Sequence, residues 1–204
     1  MRSTAVTALF LATACASGSR NPALDSYPAG VTGNTTVVYY EVHGSTLAEL
    51  RADLRRLGPQ VDGRTFVGET RSPMRWKWRV EPVATSYCAI RSVTVSVNAR
   101  IILPRWFPPE DADPALVTEW KRFVTALETH EAGHKDISAR AGRDIMRRLN
   151  GFSDLCSLIG TRANQLARSI AERTTTEQSE YDRATRHGFT QGTTLSPPVA
   201  APKQ

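Results

Sequence analysis

The chain has no apolar run near the twenty or so residues that a helix needs to cross a bilayer, so no membrane-spanning helix is expected. It also has no long basic run and no interleaving of aromatic with basic side chains. The net charge is +6, but the signs are mixed along the chain, as at Arg51, Asp53, Arg55 and Arg56. A nucleic-acid reader gathers positive charge on one face, so nucleic acid is not an expected partner. No internal repeat is present, and 204 residues suffice for one domain with a real core. Cysteine and histidine are scarce, with three and four respectively.

The first cysteine follows an unusual start. Arg2 precedes the stretch Ala5–Ala14 ("AVTALFLATA"), and Cys15 follows it. A charged start, about ten apolar residues and small residues at the end make a secretory signal. The segment also resembles a bacterial lipoprotein signal, with Ala12 where leucine is usual. The expectation is export, either to the periplasm or to a membrane through lipid on Cys15. In an oxidising compartment the remaining pair, Cys88 and Cys156, is expected to close.

Residues 16–35 are rich in Gly, Ser, Pro and Asn and read as a flexible tether, and 193–204 as a disordered tail. The folded domain is expected over 36–192. It opens with the strand "TVVYYEVHG" and a short helix, where Thr46 and Glu49 are spaced as a capping box and Gly58-Pro59 ends the stripe of leucines. Trp76, Trp78 and Val80 alternate with charged residues, as in a half-buried strand. A further strand carries Val95, Val97, Ile101 and Leu103 on one side. Cys88 and Ile90 are out of phase with that set, which predicts a bulge near Arg91-Ser92. Pro104, Pro108 and Pro109 are expected to end the β-rich half.

From Pro114 the period becomes helical. Leu116, Trp120, Phe123, Leu127, His134 and Ile137 fall at three- and four-residue steps, Asp113 is placed as the cap, and Asn150-Gly151 closes the helix. Ser153 is then read as the cap of a second helix with Cys156 in its first turn. The predicted class is α+β: an N-terminal antiparallel sheet with a short helix, then a two-helix, zincin-like hairpin.

That first long helix carries His130-Glu131-Ala132-Gly133-His134, an H-E-x-x-H pentad. Four residues apart on a helix, two imidazoles stand about 5–6 Å apart at Cβ and can close on one zinc ion. Glu131 lies about 100° round the helix, where it can act as general base on a zinc-activated water without ligating the metal. The pentad arises by accident about 0.004 times in a chain of this composition. Gly133 costs the helix about 1 kcal/mol against alanine, which makes sense if another segment approaches closely there.

Catalytic zinc needs a third protein ligand and an open position. The metzincin extension would place glycine at Ile137 and histidine at Arg140, so that subclass is excluded. His187 is the favoured third ligand, with Glu172, Glu177 and Glu180 as acidic alternatives; His43 reads as a strand-end surface residue. Tyr181 is a candidate donor to a tetrahedral intermediate, and Asp182 or Asp136 a candidate to orient a ligand histidine.

The motifs "YYEVHGST", "YCAIRSVTVSV" leading to "ILPRW", "HEAGH" and "YDRATRHG" together resemble the predicted secreted zinc-dependent protease family of bacteria, domain-of-unknown-function family 922, from about Tyr39 to Gly192. The resemblance implies export, a metallopeptidase activity and a cysteine pair matching Cys88 and Cys156. Its "YDxxTxHG" element matches Tyr181, Asp182, Thr185, His187 and Gly188, which adds weight to His187. The expected function is therefore hydrolysis of a protein or peptide substrate with one Zn2+. The alternative is a non-catalytic zinc-binding envelope lipoprotein or assembly factor.

Overall fold

The computed structural model describes residues 21–197; Cys15 and the expected signal lie outside the described residues. Its axis is the twenty-residue strand that we number β6, Tyr87–Trp106. Strict alternation makes this strand two-faced: Val95, Val97, Ala99, Ile101 and Leu103 are buried while Thr94, Asn98 and Arg100 face solvent. The phase break is where the sequence places it. Arg79 pairs with Ser92 but Val80 with Ile90, so Arg91 is the extra residue that turns Cys88 and Ile90 inward.

Along one edge of β6 runs β1 (Val31–Val42); along the other run β4 (Glu69–Arg71) and β5 (Met74–Pro82). Between β1 and β4 come α1 (Leu47–Leu57) and a small hairpin, β2 (Gln60–Val61) and β3 (Arg64–Thr65). The reciprocal Thr46–Glu49 capping box starts α1.

The class is α+β as read, but the sheet is mixed. β1 lies parallel to β6, with Val31 opposite Val95 and Val42 opposite Trp106. The intervening chain, carrying α1 and four short strands, is long enough for the crossover that parallel pairing demands. β6 also continues through Pro104 to Trp106. Pro104 lies past the last β4 pair, Glu69 with Ile102, so its missing N–H leaves no partner on that edge wanting.

The 36-residue α2 (Pro114–Leu149), capped by Asp113, packs across the inner face of the sheet. A Cβ at Gly142 would sit only 3.2 Å from methyls of Val95 and Val97, so glycine there lets helix and strand lie close. One apolar cluster joins α1, β1 and the first half of α2; a second joins β5, the end of α2 and the start of α3. His130 and His134 stand at the seam between them.

The second helix, α3 (Ile159–Thr185), starts later than the sequence suggests. Ser153–Leu155 instead forms β7, antiparallel to Tyr87–Ala89, and Cys156 lies in the turn after it. The Cys88–Cys156 disulfide is present, tying that turn to β6. Among the described residues no helix is long and apolar enough to cross a membrane.

The folded body is also longer than 36–192. Residues expected in the tether include Leu24, fully buried in the first cluster, and the opening of β1. The fully buried Lys135 of α2 donates to the carbonyls of Ala23 and Ser26 and pairs with Asp136 at 3.0 Å. At the other end Leu195 is buried, and the Arg51 guanidinium donates to its carbonyl at 2.7 and 2.9 Å. A buried ammonium and a buried leucine hold these segments, where composition alone suggested free chain.

Candidate metal centre

α2 and α3 run antiparallel: Asp182 meets His130, Gln178 meets Ser138 and Arg173 meets Asp144, in reverse order along the two helices. The helical repeat stacks the His130 and His134 rings with centroids 4.8 Å apart. Opposite them, Asp182 on α3 places Oδ1 3.3 Å from His130 Nε2 and 3.1 Å from His134 Nε2. The ligand atoms of these three side chains lie within 4.8 Å of one another and could hold a metal ion.

The other ring nitrogens are also held. His134 Nδ1 lies 2.6 Å from Gln178 Oε1, and the Gln178 amide is oriented by its own N–H bonds to the His134 carbonyl and Ser138 Oγ. His134 Nδ1 therefore carries the proton and donates. His130 Nδ1 lies 2.9 Å from Gln191 Oε1; Gln191 Nε2 donates to Tyr181 Oη at 3.1 Å, and Tyr181 donates to the His130 carbonyl at 3.3 Å. Gln191 Oε1 is a second acceptor for the Tyr181 hydroxyl, also at 3.3 Å. With both Nδ1 protons committed, each Nε2 faces Asp182 Oδ1, presenting a lone pair when the imidazole is neutral and donating when it is protonated. The two Nε2 atoms and the carboxylate oxygen together form a donor set that could hold a metal ion.

The electrostatics follow the geometry. Burial works against the charge on Asp182, yet the two imidazoles hold its carboxyl well below the ordinary range. Burial likewise opposes the charged form of His134, but Asp182 and Gln178 outweigh it and the imidazole is raised. Glu131 is 3% exposed, and burial pushes its carboxyl up, partly offset by the Thr70 hydroxyl, which donates to Oε2 at 2.7 Å. Gly68 leaves room for that carboxylate, since a Cβ there would come within 2.6 Å of Oε1.

Tyr181 explains Gly133: a Cβ at that position would overlap the phenol oxygen. The Tyr181 ring stacks on His130, 15° from parallel at 5.1 Å, and meets His134 edge-on at 4.9 Å. Its hydroxyl faces the His130 carbonyl and Gln191, and the side chain stands behind the imidazoles without lining the cavity in front of them. As placed, it packs against both imidazoles from the side away from the cavity.

His187 lies beside the cluster but outside the three-membered group. Its Nδ1 is 3.7 Å from Asp182 Oδ2, its side chain is 58% exposed, and its ring packs on Phe66. Arg186, His187 and Gly188 take successive positive φ values of 50°, 53° and 79°, a left-handed turn that swings the chain outward as α3 ends. The third member of the group that could hold an ion is instead the carboxylate of Asp182, five residues earlier. Glu172, Glu177 and Glu180 are exposed and outside the group, Glu180 pairing with Arg183 at 3.9 Å. Asp136 pairs with Lys135, and His43 sits 74% exposed beside Asp53.

Three contributors escaped the sequence reading: Gln178, Gln191 and Thr70. A signal existed for Gln178, which stands four residues before Asp182 just as His130 stands four before His134. Nothing local marked Thr70 or Gln191.

The cluster opens into a cavity of about 570 Å³, whose wall includes Glu131, Thr70 and His187. That volume suits a small ligand or a few residues of a chain.

A family pattern described as bacterial protein of unknown function, DUF922, matches residues 37–188. The chain matches no curated protein and no solved structure.

Proposed function

This chain belongs to the bacterial family of unknown function DUF922, and from its site we propose that it is an exported zinc-dependent peptidase. The carrying observation is the convergence of two imidazole nitrogens and a carboxylate oxygen, at 3.3 and 3.1 Å, on one point beside the buried Glu131. His130, His134 and Asp182 would hold the metal, and two imidazoles with one carboxylate are a donor set that suits zinc. Bound there, zinc supplies a Lewis acid that polarises a carbonyl and acidifies water.

The chain's own residues do the rest. Gln178 and Gln191 fix the imidazole tautomers, and Tyr181 wedges the rings in place. Thr70 holds the Glu131 carboxylate toward the cavity. Glu131 takes a proton from water as its oxygen bonds to the substrate carbonyl carbon, then delivers that proton to the amide nitrogen as the C–N bond breaks. The disulfide and the N-terminal signal-like segment support export, with Cys15 as the proposed lipid anchor.

Glu131→Gln tests the reading, because it keeps the shape and removes the base. Hydrolysis of a broad peptide library should fall by about 100- to 10,000-fold while bound zinc stays at the parent's stoichiometry. A variant that cleaves as well as the parent overturns the mechanism. A parent that binds zinc and cleaves nothing points to the non-catalytic envelope protein instead.

A further inference from the structure

The cavity is not symmetric about the metal cluster. From Thr70, which touches Glu131, the residues that line it step along one strand direction through Ser72 and Met74 to Trp76. The facing wall steps back along α3 from Asp182 through Gln178 and Thr175 to Ala171. Six strand residues span about 20 Å and eleven helical residues about 16 Å, so the two walls run together for a comparable distance. The walls meet where the Trp76 indole N–H donates to Asn164 Oδ1 at 3.2 Å, joining β5 to α3. Beyond that bridge lies a separate hollow flanked by Trp78 and Gly160.

One chemical feature marks this arm. Between the cluster and Trp76 its wall carries no charged side chain among the described residues; Ser72, Met74, Ser138, Ala171, Thr174 and Gln178 are all neutral.

We infer that this arm is the specificity subsite: it takes a neutral, extended polypeptide segment of about five residues, at roughly 3.3 Å per residue, with the Trp76–Asn164 bridge ending it. The inference rests on the peptidase reading for the identity of the ligand. A charged side chain entering the arm loses its hydration without gaining a partner, so such segments are refused. Length is limited because the strand and helix are joined at Trp76.

Binding, not turnover, is the test, so that it stands apart from catalysis. Uncharged peptides of three to ten residues, and counterparts carrying one lysine or glutamate, are titrated against the zinc-loaded Glu131→Gln protein. Affinity should rise with length to about five or six residues and then level, and the charged counterparts should bind at least about ten-fold more weakly. Trp76→Ala should let affinity go on rising with longer peptides; Asn164→Ser, which breaks the bridge and keeps the indole packed, should do the same if the first variant folds poorly. Equal affinity for charged and neutral peptides, a length profile unchanged in both bridge variants, or no peptide binding would overturn the inference. If the parent cleaves none of the peptides while the variant binds them with this profile, the peptidase reading falls and the subsite stands.

Discussion

At the scale of single residues the site is a matter of which lone pair faces where. His134 can serve a metal through Nε2 only while Nδ1 donates, and Gln178 is the acceptor that keeps it so. Gln178→Ala should therefore weaken zinc binding by about 10- to 100-fold with the three ligands intact, read by titration against a competing chelator. An unchanged affinity would show that the amide does not set the tautomer. Gly133→Ala probes the opposite wall. Alanine ordinarily strengthens a helix interior, but here its methyl would overlap the Tyr181 hydroxyl, so the urea midpoint should fall by an amount equivalent to about 1–3 kcal/mol. A rise in stability would mean that Tyr181 is not wedged against the helix. Both histidines, the glutamate and the close approach at Gly133 were legible, because helical spacing and a misplaced glycine are local signals. Asp182 was legible as an acid near the histidines but not as the one whose oxygen meets both rings, because that depends on how far α3 extends before its left-handed turn.

At the scale of elements, the long helix and the bulge were legible from periodicity and from its interruption. The parallel pairing of β1 with β6 was not, since nothing in either strand records a partner dozens of residues away. The start of α3 was misplaced for a related reason: Ser153 has the chemistry of a cap, but Ser153–Leu155 finds a ladder partner at Tyr87–Ala89 and is drawn into the sheet. The disulfide beside that ladder closes a loop with a sequence separation of 68 residues. Replacing Cys88 and Cys156 together by serine should cost about 4 kcal/mol of stability on the chain-entropy account, measured by chemical denaturation, and reduction of the parent should cost the same. A loss below about 1 kcal/mol would indicate that β7 and the start of α3 hold their place on the sheet without the covalent tie.

At the scale of the whole molecule, the two apolar clusters meet under His130 and His134, so the chemistry sits at the seam between the half of the chain built on α1 and β1 and the half built on α3. That position explains why the end segments belong to the body. Residues 21–28 are stapled by Lys135, next in sequence to His134, and Gln191, just past α3, completes the bonds around His130. Composition read both ends as loose because Gly, Ser and Pro dominate them, and no composition rule anticipates one buried lysine or one amide. The central claim, that two imidazoles and the Asp182 carboxylate hold one metal ion, is tested most directly by metal content in the purified protein. Elemental analysis should give one zinc per chain in the parent, none in Asp182→Ala, and one in His187→Ala. Zinc retained by Asp182→Ala but lost by His187→Ala would contradict the account.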